Sequence, residues 1–220
     1  MLSKLLAPYG GVREILFKYW AAYGGLGAIL CSPYMHAAFI ATLLSPAYWL
    51  DNWQSVATPV LAPGWATTSI SVLPNLIGFA LGGYAIWLGF GDDQFRALIS
   101  QRRKTSKASP YLEVSATFAH FILVQLIALM AGIIGLATNR TPSEIWASRV
   151  LLDWGVPAEF FYKWLAPVGH ALGFFLLVYA LTAAVAATLA VFRVATWFDT
   201  YRNMPARPLR WRDRMKSRRH

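Results

Sequence analysis

Three histidines, His36, His120 and His170, fall inside long apolar stretches, and an ionisable side chain in such a setting is a functional candidate by default. An imidazole there can hold a haem or a metal ion, relay a proton, or hydrogen-bond within a helix bundle. At about 1.5 Å per helical residue, His36 lies roughly 18 Å from the inner start of its stretch, and His170 about 8 Å from the outer start of its own. These two share an outer-half depth, so a redox subunit holding haem or a metal between His36 and His170 is the alternative reading. His120 lies about 9 Å from the inner edge and belongs to another layer. With no further cytochrome or metal signature, neutral histidines bonded to a carbonyl or water are the simpler expectation. No cofactor or metal is assigned.

A second constellation surrounds His120. Glu113, Thr117 and His120 stand at i, i+4 and i+7 and share one helical face with Val124, while Gln125 lies off that stripe near the midplane. Such a polar stripe could line a water-filled vestibule or a proton path. The simpler account makes Glu113 an interfacial acid paired with nearby loop arginines.

The third pattern is steric. Gly78-Phe79-Ala80-Leu81-Gly82 is a GxxxG followed by Gly83, and small residues let helix backbones approach closely in lipid. Ala131 with Gly135, and Ala180, Ala183, Ala184 and Ala187, repeat the theme. Packing within one subunit is the first expectation and packing between subunits the second. Pro33 and Pro74 each remove a helix hydrogen bond. Pro74-Asn75 can serve as a hinge or a polar element, or as a fixed kink with Asn75 bonded to a neighbouring helix.

Enzyme signatures are missing. The chain has no G-x-S-x-G elbow, H-E-x-x-H pair, P-loop or dinucleotide-binding glycine pattern. The single cysteine, Cys31, excludes an intramolecular disulfide and any cysteine-clustered metal site. A non-enzymatic role is expected.

The elements that must position these residues follow from composition. Of 220 residues, 57% are hydrophobic and 14% charged, against about 25% charged in soluble domains. Four stretches, 24–44, 68–90, 114–136 and 165–191, are long and apolar enough to read as spans. The expected fold is an all-α integral membrane protein: one transmembrane domain of four helices with short interfacial amphipathic helices. A surface helix is expected over Val12–Tyr19, after the interruptions at Pro8 and Gly10-Gly11. Another is expected from Thr141-Pro142 to about Gly155, and a helical extension from Asp92 or Asp93 to about Arg103. In the loop 45–67, Tyr48, Trp49, Trp53 and Trp65 suggest an interfacial belt.

The formal charge of +10 is sided. Lys4, Arg13 and Lys18 precede the first span, while Arg96, Arg102, Arg103, Lys104 and Lys107 lie between the second and third. Arg193, Arg202, Arg207, Arg210, Arg212, Arg214, Lys216, Arg218 and Arg219 follow the fourth. Together these are 17 of the 20 Lys and Arg. The positive-inside rule then puts both termini in the cytoplasm, and a bacterial inner membrane is the expected location. No removable signal peptide is read. The basic tail, 192–220, and the 91–110 loop would adhere to anionic lipids or dock a cytosolic protein, with direct nucleic-acid contact the least favoured partner.

The span pattern, the loop GDDQFRALISQRRK and the tail RPLRWRDRMKSRRH resemble small four-span membrane components of bacterial antiviral defence systems, of the Kiwa membrane-subunit type. That resemblance implies an oligomer working with a cytosolic, nucleic-acid-directed effector, and it carries no catalytic residue. The expected function is an oligomeric membrane subunit, either a pore or a membrane anchor and sensor for a cytosolic partner. In the pore version, Pro74, Asn75, Gly78, Gly82 and Gly83 shape the axis and Arg96, Arg102 and Arg103 ring the inner mouth.

Overall fold

The computed structural model describes residues 9–47, 64–89, 91, 93–101, 108–138, 146–157 and 160–203. Every regular element among them is helical: α1 (Tyr9–Tyr23), α2 (Gly25–Leu30), α3 (Pro33–Leu44), α4 (Gly64–Gly89), α5 (Asp93–Ser100), α6 (Pro110–Ala137), α7 (Trp146–Asp153) and α8 (Ala166–Arg202). A π-helical turn, Phe161–Leu165, leads into α8.

Three helices, α4, α6 and the continuous run into α8, are long and apolar enough to cross a membrane. Their 26, 28 and 37 residues reach about 39, 42 and 56 Å at 1.5 Å per residue. A hydrocarbon core of about 30 Å is exceeded in each case. The bundle fits a membrane protein.

The first expected span, 24–44, is not one helix. Gly24 and Gly25 both take positive φ, at 105° and 72°, where side-chain-bearing residues are strained. The chain breaks again at Cys31-Ser32, because Ser32 is extended and Pro33 sits in the first turn of α3. Pro33 therefore starts a helix instead of kinking one, as its fixed φ and missing N–H allow. The 12 residues of α3 extend about 18 Å, too short to cross alone.

Helix α6 runs antiparallel to both α4 and α8, which contact each other in parallel. Trp87 of α4 meets Ser115 of α6 near one end, with indole Nε1 donating to Oγ at 3.3 Å. Gly132 of α6 lies against Ser69 and Ala66 of α4 near the other. Helix α3 lies along α8, where Thr182 Oγ1 donates to the Tyr34 carbonyl at 3.0 Å. Ala180, Ala183 and Ala187 of α8 are buried, so the alanine series packs within the chain as expected.

Helix α5, the start of α6 and the finish of α8 lie together at one end of the bundle, the basic end, next to the Arg- and Lys-rich stretches of the sequence. Here α5 is pinned by Phe95, 1% exposed, whose ring meets Phe198 at 5.2 Å and Tyr201 at 5.4 Å. Gly91 makes this turn: its φ is 82° and a Cβ would stand 2.6 Å from the Phe95 ring. Helix α5 begins at Asp93 and ends at Ser100, shorter than the extension expected to Arg103, and 102–107 lie outside the described residues.

Two surface helices also differ in extent from expectation. Helix α1 takes in Gly10 and Gly11 and continues to Tyr23. Its Glu14–Lys18 pair at 2.7 Å is exposed and contributes little to stability. The lysine nonetheless holds the Glu14 carboxyl below its ordinary range, by hydrogen bond and charge. Helix α7 covers Trp146–Asp153 within the expected outer helix, while 141–145 lie outside the described residues.

Candidate functional site

His120 is the centre of the first polar cluster. Its face of α6 is covered by α1, so the side chain is only 7% exposed. Tyr19 of α1 places its hydroxyl 2.7 Å from Nδ1, and Tyr179 of α8 places its hydroxyl 2.8 Å from Nε2. A neutral imidazole meets both phenols, with one nitrogen donating and the other accepting. Tyr23, one turn on from Tyr19, stacks on the imidazole at 4.0 Å between centroids. One histidine thus ties three helices together.

Glu113 and Thr117 lie on the same side of α6, toward the basic end. With Ala21, Ala22, Tyr23, Gly24 and Ala108 they line an open cleft of about 330 Å³. Thr117 Oγ1 donates to the Glu113 carbonyl oxygen at 3.0 Å. The sequence stripe Glu113–Thr117–His120 is therefore a physical one, facing α1 and the cleft.

His170 forms a second node, near the opposite end. Trp65 Nε1 donates to His170 Nδ1 at 3.0 Å. An indole only donates, so Nδ1 must accept and the neutral ring carries its proton on Nε2. In this state neither ring nitrogen offers a lone pair to a metal. His36 is exposed on α3. Among the described residues, no group of three or more His, Cys, Asp or Glu gathers as a metal site.

Trp65 itself is 4% exposed, which corrects its assignment to an interfacial belt. Its ring is wedged between Gly135 of α6 and Gly173 of α8, where added Cβ atoms would stand 2.6 Å and 2.3 Å from Cη2. Tyr48, Trp49 and Trp53 lie outside the described residues.

Gln125 is fully buried, at 0% exposure, and neither Oε1 nor Nε2 has a hydrogen-bond partner. It lies near the middle of α6. Other buried polar groups are satisfied locally, as where Ser69 Oγ donates to the Trp65 carbonyl at 2.8 Å.

The GxxxG of α4 behaves unlike the glycines of α6 and α8. Gly78 and Gly82 have open space where a Cβ would point, and Gly83 meets only the Phe118 ring at 3.9 Å. The expectation that this motif packs within one chain is thus corrected: Gly132, Gly135 and Gly173 make the close approaches. Pro74 lies inside a continuous α4. Asn75, expected to bond to a neighbouring helix, is exposed. Ser71, Asn75, Gly78, Gly82, Ala85 and Gly89 recur every three or four residues and are all exposed, which makes one outward seam.

Among the candidate docking residues, Arg96 pairs with Asp93 at 2.7 Å. Arg102, Arg103, Lys104 and Lys107 fall outside the described residues, as do Arg207, Arg210, Arg212, Arg214, Lys216, Arg218 and Arg219.

The residues that sequence reasoning missed are Tyr19, Tyr23, Tyr179 and Trp65, which complete the two histidine nodes. The available signal was the i, i+4 placement of Tyr19 and Tyr23 on an amphipathic helix, but nothing local assigned that helix to α6.

This architecture defines a helical bundle fit for a membrane, with polar side chains tying its helices together. Comparison with protein-family models, curated proteins and solved structures finds no match.

Proposed function

We propose that this protein is a non-enzymatic, self-associating subunit of the bacterial inner membrane, N-in and C-in with α2 and α3 together completing a fourth crossing beside the three long helices, and that it turns α4 toward its neighbours. The observation that carries the reading is the outward seam Ser71–Asn75–Gly78–Gly82–Ala85–Gly89. Small residues give nothing to an isolated helix in lipid, whereas they let a second backbone approach. An amide near the middle of a 26-residue helix is costly when it faces acyl chains, and an amide on a neighbouring copy satisfies it. An amide both donates and accepts, so two copies complement each other at that position.

In the pore form of this assembly, Pro74, Asn75, Gly78, Gly82 and Gly83 shape the axis. Arg96, Arg102 and Arg103 favour anions at the inner mouth. The anchor form draws support from a different observation: Phe95 fixes α5 against the end of α8. That packs α5 against the end of α8, the elements from which the basic residues of the 91–110 stretch and the tail would dock an acidic cytosolic protein. The resemblance to antiviral membrane components favours either form, with a cytosolic effector as partner.

Native mass in mild detergent tests the assembly. The wild type is expected as an oligomer, and Gly78→Leu with Gly82→Leu as a monomer that keeps its helical circular-dichroism spectrum, since both positions face open space. A monomeric wild type, or a double variant of unchanged mass, would falsify the α4 interface. Ion flux in liposomes then separates the two forms: flux supports the pore, and its absence with a retained cytosolic partner supports the anchor.

A further inference from the structure

Helix α1 is attached to the bundle in an unusual way for a surface helix. Its apolar face runs through Val12, Ile15, Leu16, Tyr19 and Tyr23, at helical spacing. Only the last turn of that face is docked. Val12, Ile15 and Leu16 are 55%, 68% and 52% exposed, whereas Tyr19 and Tyr23 close over His120. Immediately beyond Tyr23 come Gly24 and Gly25, both at positive φ. Consecutive glycines in that region carry no side chain to lock the backbone.

From this arrangement we infer that α1 is a hinged lid over the polar stripe of α6, latched by His120. The hinge is Gly24-Gly25. The latch is the Tyr19 hydroxyl on Nδ1 and the Tyr23 ring on the imidazole face. On the far side, Tyr179 of α8 holds Nε2 at 2.8 Å, so the socket keeps its shape when α1 leaves. Tyr19, Tyr23 and Tyr179 are the titratable groups that face His120 from the two elements packed against it.

Release uncovers a continuous polar surface. Glu113 and Thr117 already line the cleft at the lid's edge, and undocking extends that surface to His120. The freed helix has a place to go. Its exposed apolar residues, with Arg13 and Lys18 alongside, suit the boundary of an anionic lipid leaflet. Docked and released states therefore differ by a small latch on one side and lipid burial on the other. A two-state element of this kind responds to modest differential binding.

The lid does not depend on the α4 seam, so it can fail or hold independently of the proposed assembly. Pulsed electron-paramagnetic-resonance distances measure it on the full chain in nanodiscs containing anionic lipid. Spin labels at Arg13→Cys and Leu98→Cys, in a Cys31→Ser background, report α1 against α5. The wild-type background is expected to show a dominant narrow distance. Combining Tyr19→Phe with Tyr23→Leu is expected to raise the ratio of a second, separated population roughly tenfold or more, as loss of the Tyr19–His120 and Tyr23–Tyr179 hydrogen bonds and of one stacked ring implies. These substitutions leave His120 and Tyr179 in place, so folding of the spanning helices is preserved. His120→Leu should give the same shift. An unchanged distance distribution in both variants overturns the latch. A wild type already broad, and insensitive to either variant, overturns the lid.

Discussion

Gly173→Ala is the sharpest test of how the bundle is closed at the Trp65 end. An ideal Cβ at Gly173 would stand 2.3 Å from Trp65 Cη2 and 2.5 Å from Cζ2 and Cζ3. Carbon atoms pack at about 3.5–4.0 Å, so the ring or the helix must yield by roughly an ångström. Trp65 has little room to yield, because Gly135 bounds the same ring, with Cβ contacts of 2.6 and 2.9 Å. Overpacking of this kind costs about 1–3 kcal/mol. Tilting the indole also strains its bond to His170, worth about 1 kcal/mol. Alanine returns about 1 kcal/mol through helix propensity. The net expectation is destabilisation of about 1–3 kcal/mol. In a Trp65→Ala background the clash is gone, and the same substitution should stabilise by about 1 kcal/mol. Equilibrium unfolding in mixed detergent micelles, read by helical circular dichroism, measures all four corners of the double-mutant cycle. A Gly173→Ala protein as stable as the wild type, or a cycle that closes additively, refutes the wedge.

Four further outcomes follow. Gln125→Leu should stabilise the bundle by about 1–3 kcal/mol, because it replaces a buried, unpartnered amide with an apolar group of similar size; a loss of stability in the same unfolding assay would give the amide a partner. Phe95→Ala should release α5 from the end of α8, with a local cost of about 3–5 kcal/mol, seen as faster amide exchange over 93–100 than over α6. Gly82→Ala, with open space at its Cβ, should be neutral or slightly stabilising in the monomer, unlike Gly173→Ala. The purified protein should lack a Soret band; a band that His36→Ala and His170→Ala each abolish would establish the redox alternative.

The helical character and the membrane-compatible stretches were legible because length and apolarity are local properties. Residues 68–90, 114–136 and 165–191 correspond to α4, α6 and α8, since an uninterrupted apolar run satisfies its own backbone only as a helix. The first stretch misled because its hydropathy resembles the others, while Gly24-Gly25 and Ser32-Pro33 break the backbone without altering apolarity. Trp65 misled for a related reason: tryptophan suits an interface, yet glycines on two other helices open a slot for it.

The candidate site divides along the same line. Glu113, Thr117 and His120 share a face by periodicity alone, and the structure keeps them together on one side of α6. What that face touches is not periodic information. Tyr19 lies 101 residues from His120 in the chain, and Tyr179 lies 59 away. The GxxxG of α4 could be recognised as a contact surface, but whether it looked inward or outward depended on which face its neighbours occupied. The sequence by itself determined the apolar helices, the clustering of Lys and Arg along the chain and the polar stripe, because each is written in composition and spacing. Only the tertiary structure decided that His120 is gripped by two tyrosines, that Trp65 closes the opposite end and that the α4 seam is left open. Those depend on chain-distant helices meeting at particular rotations, which no local window of residues contains.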